Sequence, residues 1–341
     1  MGILVENPGF LTTIQDLGRI GYGKYGMPQS GVMDVFSFKL ANILVGNPEN
    51  TASLEITLMG PELLFTKDNI IAITGGNLSP RVNFIDIPMN KAILIKKGDI
   101  LSFGSVKHGC RSYIAFAGGF SNIKNIMNSY ATYLKGKIGG YEGRKLLSKD
   151  FLEFKSPMIM LKNFFHREYT IPNHSTFPLE IRVLLGPQEE DFTKDGLKTF
   201  LNSTYIVSKD CDRMGYRLEG TPIEHLLDGN IISDGIAFGA IQVPPHGQPI
   251  IMMADRQTIG GYPKIANVIS VDIPKIAQSK PGDKITFKKI SIEESQSLLC
   301  NQNKLLQTFK EKINQTNYST IKDYIVKINN ISYNVQVERV Q

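Results

Sequence analysis

Cysteine is scarce in this 341-residue chain: Cys110, Cys211 and Cys300 are odd in number, far apart and never in a Cys-x-x-Cys pair. That excludes a disulfide framework and speaks against a zinc site, leaving reduced, buried thiols as the expectation. The five histidines, His108, His166, His174, His225 and His246, also lack ligand spacing, so no metal is expected. Long apolar runs are missing, and Ile250–Ala254 falls far short of the ~20 residues that cross a bilayer. Glu6 and Pro8 arrive too early for a signal peptide, so a cytoplasmic protein with no membrane association is expected. Glycine pairs occur at Gly75-Gly76, Gly118-Gly119 and Gly139-Gly140, but Gly-x-x-x-x-Gly-Lys-Ser/Thr does not, so the chain has no recognisable ATP-phosphate loop of its own. Gly-x-Ser-x-Gly is absent too, and Ser30-Gly31 precedes a helix with no nearby histidine, which disfavours a hydrolase triad.

What is present suits a folded protein with a sizeable core, with 42% apolar and 21% charged residues. Single cores stop growing at roughly 250–300 residues, so two domains are expected. The net charge of +6 is not a nucleic-acid signature, because residues 301–341 hold six basic residues against three acidic ones and so carry half of it. No basic stripe interleaved with aromatics occurs.

Runs rich in β-branched and aromatic residues predict strands at Asn69–Thr74, Lys91–Ile95, Ile100–Phe103, Tyr113–Phe116, Ile181–Leu185, Ile250–Met253 and Lys284–Phe287. The chain is therefore mainly β. Lys97-Gly98-Asp99 before one strand is echoed by Pro281-Gly282-Asp283 before another, which suggests two related halves. A second echo pairs Asp16-Leu17-Gly18-Arg19-Ile20-Gly21-Tyr22 with Asp210-Cys211-Asp212-Arg213-Met214-Gly215-Tyr216. The least patterned stretch, Phe164–Pro178, marks the junction, giving subdomains at 1–170 and 171–290 and a tail at 291–341. Helices are few. Asp34 caps one that runs through Val45 and stops at Gly46, with Phe36, Leu40, Ile43 and Leu44 as its core stripe. Ser291 and Glu294 form a capping box for another, with Leu298, Leu305, Phe309 and Ile313 at helical spacing. Tyr324–Glu338 reads as a hairpin turning at Asn329-Asn330.

Three segments concentrate glycine with polar side chains: Thr12–Tyr22, Ser208–Gly220 and Gln242–Lys264. In the last, an apolar strand delivers Asp255, Arg256, Gln257 and Thr258 onto Gly260-Gly261, where a rigid scaffold can aim polar groups at a small ligand. Chemistry on an amide or a carboxylated cofactor needs donors for oxyanions and a group that handles a proton. The planar fork of arginine suits the first task, so Arg19, Arg213, Arg256 and Lys264 are candidate anion binders. Asp16 and Asp255 are candidate acid–base or arginine-orienting groups. The competing reading of each is a salt bridge that pins a loop. Tyr22, Tyr216 and Tyr262, each after a glycine, read first as packing residues.

As an ordered set the motifs are Pro8-Gly9-x-x-Thr12-Thr13-x-Gln15-Asp16-x-Gly18-Arg19-x-Gly21-Tyr22, Gly31-x-Met33-Asp34, Ala41-Asn42-x-Leu44-Val45-Gly46-Asn47, Leu54-Glu55, Gly60-Pro61, Gly109-x-Arg111-x-Tyr113-x-Ala115-x-Ala117-Gly118-Gly119, Asp212–Leu218 with Gly220, and the Gln242–Lys264 block. Over roughly residues 3–290 the chain resembles the carboxyltransferase family that includes the C subunits of 5-oxoprolinases, KipA and allophanate hydrolase subunit 2. The resemblance implies a mainly β fold of two cyclophilin-like β-barrel subdomains with a few short helices. It implies a KipI-like B subunit and a 5-oxoprolinase A subunit as partners, and opening of 5-oxoproline, a lactam, to L-glutamate with ATP, which could bind at a subunit interface. Carried onto matching motif positions, Asp16, Asp255, Arg256 and Lys264 are the catalytic candidates, and Gln15, Arg19, Arg213, Gln257, Thr258 and Tyr262 the substrate-binding ones. Other relatives use biotin in urea carboxylation. A Met-Lys-Met acceptor is absent here, so biotin would arrive on another chain. A KipA-like regulator without catalysis is the remaining alternative.

Overall fold

A computed structural model of the chain describes residues 1–155, 161–170, 178–315, 321–328 and 331–338. His174, within the expected junction, and the expected Asn329-Asn330 turn lie outside the described residues. The first half is built on a five-stranded sheet, in the order Leu11–Gln15, Ser53–Thr57, His108–Phe116, Asn69–Asn77, Ala92–Ile95. Side chains alternate across a strand, and here both faces are apolar. Ile71, Ile73, Ile114 and Phe116 point into one core, shared with a six-stranded sheet that includes Gly2–Asn7 and Glu62–Phe65. Ile70, Ala72, Tyr113 and Ala115 point into another, covered by the helix Val35–Leu44.

That helix begins where Asp34 accepts the Ser37 backbone N–H at 2.9 Å, and it ends at Gly46, whose φ of 74° is open to glycine without steric cost. Arg167, buried, donates to the carbonyls of Ile43 and Leu44 at 3.0 and 3.2 Å, which satisfies the last turn of the helix. Arg167 also donates to Asn314 at 2.6 Å, tying in the long helix Ile292–Asn314, which starts at the expected Ser291 cap. The stripe expected on that helix is corrected in one respect. Leu306 and Ile313 are buried with Phe309 packed beside them, whereas Leu305 is 59% exposed, because the contact face is offset by one residue from the spacing chosen.

The second half closes into a barrel of seven strands, in the order Leu179–Leu185, Lys264–Val268, Ala240–Gln242, Ile250–Met252, Gly215–Glu219, Tyr205–Cys211, Lys284–Lys289. Closure removes sheet edges. Its interior is filled by residues such as Ile181, Tyr205, Leu218, Ile251 and Ile265, and by Met33 from the first half, fully buried among them. The mainly β architecture with few helices is as expected. The closed barrel belongs to the second half, while the first half stacks two sheets against one helix. Each of the seven strand readings falls in a strand to within a residue. The helices Lys194–Asn202 and Ile273–Ala277 were not expected, being too short for a clear period. Among the described residues no helix is long and apolar enough to cross a membrane.

The first echo is structural. Gly98 and Gly282 both have φ of 92°. Gly98 N–H donates to Phe65 and Gly282 N–H to Val207, at 2.8 and 2.9 Å, while Asp99 and Asp283 carbonyls accept from the same two residues, both at 2.9 Å. The second echo is not: Gly21 has φ of 92° in an exposed turn, whereas Gly215 opens a strand and Tyr216 is buried. An added Cβ at Gly98 or Gly282 would meet nothing within 4 Å, so alanine there tests backbone conformation alone. Gly98→Ala and Gly282→Ala should each cost about 1–2 kcal/mol in urea denaturation, and by similar amounts; a free substitution at either would break the equivalence of the two turns.

Candidate functional site

The three polar segments converge where the two halves meet. Strand Gly215–Glu219 and the Ile250–Met252 strand are hydrogen-bonded neighbours, which sets Arg213 just before one beside Asp255 just after the other. Arg213 Nε and Nη2 donate to the two oxygens of Asp255 at 3.0 and 3.1 Å. The same guanidinium reaches into the first half, where Nη1 donates to Glu55 and Nη2 to the Gly31 carbonyl, the latter at 2.5 Å. All three side chains are at least 95% buried. Burial by itself would lower the Arg213 pKa, but the charges of Asp255 and then Glu55 outweigh it and hold it raised.

Glu55 passes the network onward. Its Oε2 accepts the Met33 backbone N–H at 2.9 Å and the Tyr113 hydroxyl at 2.8 Å, and that hydroxyl accepts the Asp34 N–H at 2.8 Å. Asp34 accepts from Gln278 Nε2 at 3.0 Å, and Gln278 Oε1 accepts the N–H groups of Cys110 and Arg111, both at 3.0 Å. Gln278 thus ties the second half to a strand of the first.

On the first-half side, the strand Leu11–Gln15 runs into a turn that buries Asp16 and Arg19. Asp16 accepts from the Gly18 N–H at 2.8 Å, Ser129 Oγ at 2.7 Å and the Tyr130 N–H at 2.6 Å, so its carboxylate holds the 129–130 loop. Gln15 Nε2 donates to Thr13 Oγ1 at 3.0 Å and the Thr132 carbonyl at 3.1 Å. Arg19 Nη2 donates to the adjacent Ala131 carbonyl. Gly139 allows that approach, because an added Cβ there would lie 2.1 Å from the same Arg19 nitrogen. Burial lowers the Arg19 pKa, and the charges of Asp16 and Asp255 partly offset this. Asp255 therefore lies within electrostatic reach of Arg19 as well as of Tyr133, whose hydroxyl is raised by burial and then by Asp255.

The rest of the Gln242–Lys264 block spreads over one lobe. Arg256 has no carboxylate partner among the described residues; its Nε donates to the Ile236 carbonyl at 3.0 Å and its guanidinium lies 5.4 Å from the Phe238 ring centroid. Burial pushes it down to about 10, so it stays protonated at neutral pH. Lys264, buried, donates to Asp234 at 2.6 Å. Gln257 and Tyr262 are exposed and Thr258 half-buried, with the Gly23 turn of the first half within 4.0 Å of the Thr258 methyl for an added Cβ. The sequence reading therefore names residues that the structure brings together, Arg19, Arg213 and Asp255, and others it sets apart, such as Lys264. Glu55, Tyr113, Tyr133 and Gln278 were missed as functional residues. One signal was available for Glu55: a single acid inside the apolar run Leu54–Ile56 needs a buried partner. Among the described residues no group of three or more histidines, cysteines or acids could hold a metal.

Comparison with known proteins shows the family. Residues 25–289 match the family described as carboxyltransferase domain, subdomain A and B. The chain is 34% identical over 310 residues to the C subunit of 5-oxoprolinase from Escherichia coli K12, covering 91% of this chain and 98% of that protein. It is 35% identical over 320 residues to urea amidolyase of Saccharomyces cerevisiae, covering 88% of this chain but 17% of that protein. Among solved structures, Kluyveromyces lactis urea carboxylase superposes with a TM-score of 0.84 at 30% identity, over 99% of this chain and 32% of that one.

Because Arg213 joins the halves in a buried network of charged hydrogen bonds, breaking it should be costly. Glu55→Ala or Arg213→Ala is expected to lose about 3–5 kcal/mol in urea denaturation, against under about 1 kcal/mol for Glu168→Ala, which breaks the exposed Lys91–Glu168 pair. Equal losses would remove the seam from the list of what holds the halves together.

Proposed function

The chain belongs to the carboxyltransferase domain family, and on that premise we propose that it is the C subunit of an ATP-dependent 5-oxoprolinase, acting with A and B subunits to open 5-oxoproline to L-glutamate. The observation that carries this reading is coverage in both directions, 91% of this chain against 98% of the Escherichia coli protein, so the two correspond almost end to end. Urea amidolyase is by contrast matched over only 17% of its length.

A lactam carbonyl is a poor electrophile. Phosphorylation of its oxygen by ATP, with release of ADP, makes the carbon electrophilic. Water adds there, the ring C–N bond breaks with the nitrogen departing as an amine, and a second water hydrolyses the resulting acyl phosphate to the carboxylate of glutamate and inorganic phosphate. ATP supplies that drive. The donors of this chain suit one small anionic group rather than a triphosphate: among the described residues Arg19 and Arg256 have no hydrogen-bonded acid, Lys264 is matched to Asp234, and no Walker loop occurs in the sequence. In this reading ATP would bind at an interface with the partner subunits. Within this chain, Arg256 would hold a developing oxyanion, with its desolvated charge worth more than it would be in water. Asp255, engaged at both oxygens by Arg213, is better suited to orienting charge toward Arg19 than to shuttling a proton.

A second reading, a carboxyl-transfer component of urea carboxylase type using biotin from another chain, draws support from the TM-score of 0.84 to the Kluyveromyces lactis urea carboxylase. A KipA-like regulator that binds a KipI-like kinase inhibitor is the non-catalytic option. Coexpression with A and B partners, followed by assay of glutamate release and ATP hydrolysis with each component omitted in turn, separates them. Activity that requires this chain is the expected result; an inactive assembly would turn attention to biotin dependence, which the carboxylase reading requires and the regulator reading does not. In the active assembly, Arg256→Ala should lower kcat/KM on the order of 10²- to 10³-fold with the fold intact, and full activity would take Arg256 out of the site.

A further inference from the structure

Eight buried side-chain polar atoms have no hydrogen-bond partner among the described residues, and half of them lie on one small patch: Gln15 Oε1, Arg19 Nε and Nη1, and Ser30 Oγ. Hydrogen bonds to neighbouring segments bring the three residues near one another. Gln15 and Arg19 donate to the successive carbonyls of Thr132 and Ala131, and the Arg19 backbone N–H donates to the Gln29 carbonyl at 2.7 Å. Ser30 takes an unusual φ of 55° for a residue with a side chain, and its N–H donates to the Ala254 carbonyl at 3.1 Å, next to Asp255. Ser30 is one of twelve non-glycine residues with positive φ among the described residues, so its backbone alone carries little, but buried polar groups are nearly always paired. Four such atoms together point to a ligand rather than to packing.

The chemistry of the four atoms describes the ligand. Arg19 offers a positive charge and unshared N–H donors, so it calls for an anion. The neighbouring acids do not supply one: Asp255 and Glu55 are bonded to Arg213, and Asp16 to Gly18, Ser129 and Tyr130. Gln15 is oriented by its two donor contacts, which leaves its Oε1 as a fixed acceptor for an N–H. We propose that Gln15 and Arg19 form a subsite that reads a carboxylate adjacent to an amide N–H, the head of a lactam amino acid, with Arg19 on the carboxylate, Gln15 Oε1 on the N–H and the Ser30 hydroxyl beside them. This assignment rests on the oxoprolinase reading and adds a selectivity to it: a neutral amide such as urea carries no group to match Arg19, so the subsite discriminates against it. Leaving a buried donor unmatched is what makes such rejection effective.

The test is calorimetric binding to the assembled complex without ATP, using three ligands: 5-oxoproline, 2-pyrrolidinone, which lacks the carboxylate, and the lactone analogue of 5-oxoproline, which replaces the N–H by oxygen. For the wild type, 5-oxoproline should bind on the order of ten- to a hundredfold more tightly than either analogue. Arg19→Gln should collapse the preference over 2-pyrrolidinone while keeping the preference over the lactone, and Gln15→Leu should do the reverse. Arg19→Lys, which keeps the charge, should retain part of the first preference and guards against a variant that fails to fold. A merely structural role, or an internal water satisfying these atoms, would weaken all three ligands together and leave both ratios unchanged, which overturns the proposal; so would absence of 5-oxoproline binding. Turnover is not needed for this readout. An assembly that binds with these ratios but releases no glutamate would therefore remove the oxoprolinase reading and leave the subsite standing.

Discussion

Two buried arginines hold the two halves of this protein in register: Arg111 of the first half donates to the Tyr216 hydroxyl and the Ala277 carbonyl of the second, and Arg213 carries the ionic network. Arg213 comes from the barrel, and it is matched by Asp255 of the barrel, by Glu55 of the first half and by the Gly31 carbonyl of the first half. Removing a guanidinium and two carboxylates from water is expensive, and the arrangement is tolerable only because every charge has a directed partner. That requirement propagates. Glu55 can serve Arg213 only if its other oxygen is occupied, which places Met33 and Tyr113, and Tyr113 in turn places Asp34 at the start of its helix. Met33 then enters the barrel core as an apolar plug. The geometry of the candidate site is thus a consequence of how the halves are joined, because Asp255 is aimed by the same fork that crosses the seam.

Features that depend on neighbours along the chain were legible in the sequence. The Asp34 and Ser291 caps, the stop at Gly46 and the Gly98 and Gly282 turns rest on local hydrogen bonds and backbone conformation, and each is found where the residues place it. Strands were legible because β-branched runs suit a pleat buried on both faces. The offset on the long helix shows the limit: Leu305 and Leu306 are adjacent and equally apolar, and only how the helix docks on the core of the first half decides which is covered. The seam lies beyond local reading altogether. Arg213 and Glu55 are 158 residues apart, and no period or spacing joins them. The Asp210–Tyr216 echo misled for the same reason, since similar letters acquired different backbone conformations once Tyr216 was drawn into the barrel interior.

Arginines picked out by one criterion from the sequence turn out to do opposite things. Arg213 has every nitrogen hydrogen-bonded, its neighbours raise its pKa, and it joins the halves. Arg19 and Arg256 are desolvated with no hydrogen-bonded carboxylate among the described residues, and burial lowers both. A salt bridge that pins a loop and a cation kept ready for a ligand look identical in sequence, since both are an arginine near an aspartate in a glycine-rich turn. They differ in where the acceptors are spent. Asp255 commits both oxygens to Arg213, so it influences Arg19 through space without neutralising it by contact. The structural ion pair and the unspent cation therefore depend on each other: because Arg213 absorbs the acids of the seam, Arg19 is left with donors to spare. A family fold that serves more than one amide chemistry can keep that seam unchanged and vary what the spare donors meet.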